Sequence, residues 1–199
     1  MSAGKDINNL IDAAGVGDLD TVQRLLESGM DVNVKFKDGF TALMAATTSG
    51  HTEVVKALLS SGADANLTDD HGMTALMMAA GKGRIEIVNA LVKGGADVCA
   101  QNTSNSQFDG WTALMHAAQS GNVDVTRALL SNGANINEKD ANGETALMKA
   151  AYLGNIEIVK LLLESGADVS AKDDDGMTAS MLADRMGQIN ILKLLHRLD

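Results

Sequence analysis

An all-α solenoid of six stacked helix-turn-helix repeats is the fold class this sequence predicts, and three observations predict it. The chain repeats itself at a near-constant interval, each copy holds two short helical patterns around a turn, and no copy carries enough apolar surface to form a core alone. Copies open at Asp38, His71, Asp109, Asn142 and Asp175, an interval of 33 residues except for 38 between His71 and Asp109. A degenerate copy, "NNLIDAAGVGDLDTVQRLLESGMDVN", precedes them from Asn8. One domain, 1–199, is expected, with repeats at about 5–37, 38–70, 71–103, 109–141, 142–174 and 175–199 and an insertion at about 104–108.

Within each copy the elements follow from local chemistry. In the copy opening at Asp38, Thr41 is placed to cap a first helix, and the small residues Ala42, Ala45 and Ala46 let that helix approach its neighbours closely. The second helix carries Val54, Val55, Leu58 and Leu59 as a single apolar stripe. Gly62 then ends it, as Gly29, Gly95, Gly133 and Gly166 do in their copies, where a left-handed residue is needed. Asp18, Asn122 and Asn155 stand at the starts of second helices, where their side chains are expected to cap orphan amides. Met44, Met77, Met115, Met148 and Met181 recur at one framework position and read as packing residues.

The ends differ from the middle in the way terminal repeats require. Asn8-Asn9-Leu10-Ile11 replaces the "TALM" of later copies, Ser180 replaces the usual Leu, and Lys193, His196 and Arg197 decorate the last helix. Both ends read as caps, so the sequence predicts a complete, monomeric array.

The recurrent pattern "DGxTALMxAAxxGxxEIVxLLLxxGADVN" resembles the ankyrin repeat over nearly the whole chain. The family's Thr-Pro-Leu-His tetrapeptide reads Thr-Ala-Leu-Met here, at Thr41, Thr74, Thr112 and Thr145, a variant similar to bacterial-type arrays. The resemblance implies an ankyrin-repeat α-solenoid with β-hairpin or loop tips. It also implies partner contacts on those tips and on the exposed face of the first helices, which together would line a concave groove.

Composition narrows the function. With 45% hydrophobic residues but only three Phe, one Trp and one Tyr, the core must be built from Leu, Ile, Val, Ala and Met. The longest apolar run, Ala75 to Ala80, is far short of the ~18 residues of a membrane span, and no signal-like leader is present, so a cytoplasmic protein is expected, with a secreted effector as the alternative. Sixteen basic against 26 acidic residues leave a formal charge of −10, which would repel nucleic acid and steer a basic or neutral protein surface.

No catalytic, cofactor or metal site is expected. His51, His71, His116 and His196 are scattered over different copies, and Asp173-Asp174-Asp175-Gly176 lacks the remaining spacing of a calcium loop and reads as a solvated tip. His51 reads as structural. Cys99, the single cysteine, stands where other copies have Asn or Ser; it reads as a small loop residue, with redox control or disulfide dimerisation as the alternative.

Function is therefore sought in the positions that vary between copies. The partner-binding candidates are Phe36, Phe40, Asp70, His71, Met73, Phe108, Asp109, Trp111, His116, Glu144, Tyr152, Asp175 and Met177. Phe40, Phe108, Trp111 and Tyr152 fall on this set, and Trp and Tyr are the residue types that most often anchor interfaces; the alternative is that some of them pack within the loops over the hairpin below. Acidic tips at Asp69, Asp70, Asp109, Glu138, Asp140, Glu144 and Asp173 to Asp175 would surround them. The insertion gives a polar finger, Thr103 to Gln107, on an apolar base of Phe108 and Trp111, and reads as the specificity element, with a simple tolerated insertion as the alternative. The expected function is a non-catalytic protein-protein interaction module: an adaptor, inhibitor or effector. The alternatives are a regulatory subunit docking on an enzyme and an engineered binding scaffold.

Overall fold

The computed structural model describes residues 3–103 and 109–195. The helices are α1 (Ala3–Val16), α2 (Leu19–Glu27), α3 (Ala42–Ser49), α4 (Thr52–Ser60), α5 (Ala75–Gly81), α6 (Ile85–Lys93), α7 (Ala113–Ser120), α8 (Val123–Ser131), α9 (Ala146–Leu153), α10 (Ile156–Glu164), α11 (Ala179–Arg185) and α12 (Ile189–Leu195). This is the all-α, helix-turn-helix solenoid class. The tips are loops joined at isolated bridges, Thr68 to Thr74 and Gln101 to Thr112, and no regular strand forms among the described residues.

The contacts divide the chain into two compact units, Met1–Ala79 with Arg84–Asp97 and Ala80–Gly83 with Val98–Asp199. In the first unit α1 packs on α3, and α4 packs on both α2 and α6. In the second, α9 lies between α7 and α11, and α10 between α8 and α12. First helices thus stack on first helices and second on second. The apolar stripe of each is buried by the copies beside it, at roughly 2 kcal/mol for each fully covered Leu, Ile or Met.

The cap expected at Thr41 forms, and the other copies repeat it. Thr41, Thr74, Thr112, Thr145 and Thr178 each accept a hydrogen bond from the amide of the Met three residues on, at 3.3–3.4 Å. Gly62 adopts φ 88°, and Gly29, Gly95, Gly133 and Gly166 repeat that conformation. Asp18 accepts from the Thr21 amide at 3.0 Å and caps α2.

Asn122 and Asn155 do not cap their helices. Their amide groups donate instead to the last turn of the preceding first helix: Asn122 to the Ala80 carbonyl at 3.0 Å, Asn155 to the Ala118 carbonyl at 2.8 Å. His51 Nε2 lies 3.1 Å from the Gly15 carbonyl, and Gln188 donates to the Tyr152 carbonyl at 3.5 Å. The reason is chemical. A carboxylate such as Asp18 can only accept, whereas an amide or a protonated ring nitrogen can satisfy the orphan carbonyls at a helix end.

A second ladder joins the loops. Asn33 donates to the Gly62 carbonyl and accepts from the Asp64 amide; Asn66 makes the same pair with Gly95 and Asp97. Cys99 occupies this rung, and its thiol reaches the Gly133 carbonyl at 3.5 Å. A small loop residue is what the sequence predicts there, and the contact gives it a place in the ladder.

Framework burial changes sharply at the last copy. Met148 is 1% exposed, whereas Met181 at the equivalent position is 49% exposed, beside the polar replacements Ser180 and Asp184. Met148→Ala is therefore expected to lower the unfolding free energy by about 2–5 kcal/mol, and Met181→Ala by less than about 1 kcal/mol. Urea unfolding followed by circular dichroism checks this, and equal losses would show that Met181 is covered as fully as Met148.

Candidate functional site

The tips owe their shape to one acidic position. Asp69 Oδ1 accepts from the amides of His71 and Met73, both at 2.9 Å, and Asp140 and Asp173 do the same for the residues two and four positions on. Asn102 plays this part before the insertion, accepting from the Trp111 amide at 2.7 Å while its own amide donates to the Trp111 carbonyl at 3.0 Å. Asp69, Asp140 and Asp173 are thus turn staples rather than solvated acids, and Asp140 is buried.

In the first unit the candidates spread over successive tips. Phe36 is exposed, with the Lys37 ammonium 5.8 Å from its ring centroid, and Phe40 is half-buried at the start of α3. Asp70 and His71 are exposed and Met73 is half-buried. Asp38 is held at φ 59°, and its carbonyl accepts from the Asp70 amide at 2.8 Å, which couples the two tips.

In the second unit Trp111, expected on the exposed face, is 3% exposed, and His116 is also buried. The two rings are 5.0 Å apart, and the Lys149 ammonium lies 4.3 Å over the Trp111 ring. Lys149 donates to Asp140 Oδ2 at 2.6 Å and pairs with Glu144 Oε2. The next copy thus lays a cation on the Trp face, a contact worth about 2 kcal/mol when desolvated. Asp109, Glu144 and Met177 are half-buried, and Asp175 and Tyr152 are exposed, Tyr152 at 41% beside Leu153 at 45%. Ser104 to Phe108, the body of the expected finger and half of its apolar base, lie outside the described residues.

Asp140 was legible only as an acidic tip, and its pairing with Lys149 was missed. The available signal was that Lys149 is the one cation at a place where other copies have Ala45, Met78, His116 and Leu182. A lone charge on a packed helix face implies a buried partner.

Burial, and then the neighbouring Lys149 charge, lower the His116 pKa from 6.5 to about 4. The unfolded chain therefore binds a proton near pH 6.5 that the folded chain refuses until about pH 4. Stability contributed by the neutral ring is complete above pH 6.5 and is lost as pH falls toward 4, by about 3 kcal/mol at most. Denaturant midpoints recorded across that window should fall, and His116→Leu should flatten the dependence. Separately, Lys149→Met leaves Asp140 buried without its cation and is expected to lower the unfolding free energy by about 3–5 kcal/mol, read from the same curves.

Among the described residues no group of three or more His, Cys, Asp or Glu side chains could hold a metal ion, and no helix is long and apolar enough to cross a membrane. The family model described as ankyrin repeats (three copies) matches residues 10–102, 99–173 and 140–198. The chain belongs to the ankyrin-repeat family, whose repeats are generally protein-protein interaction modules and typically non-catalytic. No curated protein matches it.

Proposed function

We propose that this chain is a non-catalytic protein-binding module, an adaptor, inhibitor or effector, that recognises a protein partner through its loop tips and the exposed faces of its first helices. One observation carries the reading. The framework Thr, Leu, Met and Ala recur from copy to copy, while the position near the end of the first helix changes from Thr48 to Gly81, Gln119, Tyr152 and Arg185. A scaffold held constant beneath a chemically diverse row is what recognition without catalysis requires. The formal charge of −10 favours a partner with a basic or neutral surface and disfavours nucleic acid. The module acts as a monomer, in the cytoplasm or as a secreted effector.

The revised anchors are Phe36, Phe40 and Tyr152, because Trp111 is committed to the interior. A partner captured with the full chain is expected to bind the triple alanine variant at least about tenfold more weakly, a loss of 1.4 kcal/mol or more. The variant's thermal unfolding should remain that of a folded array. Unchanged affinity in a folded variant would overturn the proposal.

A further inference from the structure

In the first unit a groove of about 390 Å³ runs between α1 and α3, lined by Asp12, Gly15, Val16, Phe40, Ala45 and Thr48 among others. Its walls are mostly apolar, Val16 is 74% exposed, and among the described residues Asp12 is the only charged group that lines it. Among the described residues Asp12 forms no ion pair. At the same repeat position the second unit carries Lys149, whose charge is fully engaged within the protein.

Gly15 is a second, independent pointer. It lies within α1, where glycine is less favourable than alanine, and a Cβ there would meet only Ala45 Cβ, at an ordinary 3.9 Å. The packing of the described residues does not call for a glycine at this place. A bare backbone in the floor of a groove is useful to whatever enters it.

We propose that this groove is a subsite for an arginine side chain of the partner protein, an inference that rests on the protein-binding reading above. The guanidinium pairs with the Asp12 carboxylate and lies against the Phe40 ring, and the aliphatic stem covers Gly15 and Ala45. Arginine fits better than lysine because its planar, weakly hydrated cation can engage a carboxylate through two N–H groups and stack on an aromatic face at once. The exposed Asp38 and Asp70 of the same unit add to the attraction for a cation.

The test uses the ¹⁵N-labelled full chain titrated with the tripeptide acetyl-Leu-Arg-Leu-amide, and with the same peptide carrying lysine or the neutral isostere citrulline in place of arginine. The arginine peptide is expected to give saturable amide shifts at Asp12, Gly15 and Thr48 and to bind at least about tenfold more tightly than the citrulline peptide. Asp12→Asn should remove that difference. Gly15→Ala should weaken the arginine peptide by about tenfold while leaving the melting temperature unchanged or higher. Equal affinity for arginine and citrulline, a lysine peptide that matches arginine, shifts confined to other residues, or no saturable shift up to roughly 10 mM peptide would each overturn the subsite. A captured partner that weakens on Tyr152→Ala but ignores Asp12→Asn would sink this inference alone. Failure of any protein to bind the chain would instead remove the broader reading.

Discussion

Apart from α1, the helices are seven to nine residues long, and a pair of them cannot bury its own apolar face or satisfy its own terminal carbonyls; the rest of the structure depends on that constraint. Both deficits are met by the neighbouring copy. Leu58, Leu91, Leu129 and Leu162 are buried by stacking, while His51, Asn122, Asn155 and Gln188 reach back to the carbonyls that end the preceding first helix. Asn33 and Asn66 do the same for the loops. The hydrogen bonds decide register, and the apolar stripe supplies most of the stabilisation.

The second unit shows what happens when charge enters this framework. Lys149 sits on a packed helix face, and its cost is offset by Asp140, Glu144 and the face of Trp111 acting together. Asp140 spends one oxygen on its own turn and the other on Lys149, so the tip and the helix it precedes become one rigid piece. Trp111, locked beneath the cation, is paired through its backbone with Asn102. The two ends of the insertion are therefore anchored to an ordered base. The aromatic ring of the fourth copy's tip is thus a structural element.

The first unit handles the equivalent position in the opposite way. Asp12 stands exposed beside an apolar groove rather than closed into a cluster, and its side chain is available to an incoming cation. The division is economical in physical terms: charge that is compensated internally stiffens, and charge left open steers and selects.

The helix-turn-helix unit, its recurrence and the Thr41 cap were legible in the sequence, because each depends on residues within one copy or on a pattern that recurs from copy to copy. The change at the last copy was legible too, since Ser180 replaces the usual Leu. Which aromatics face solvent was not. Trp111 occupies a tip position that reads as exposed, and the Lys149 that lies over its ring is 38 residues on. Asn122 and Asn155 read as caps because local geometry allows it, and the competing carbonyls lie more than thirty residues earlier. Local chemistry determined the elements and their order; the tertiary structure decided the partners of every side chain that looks across to another copy, because such contacts are set by stacking rather than by sequence neighbours.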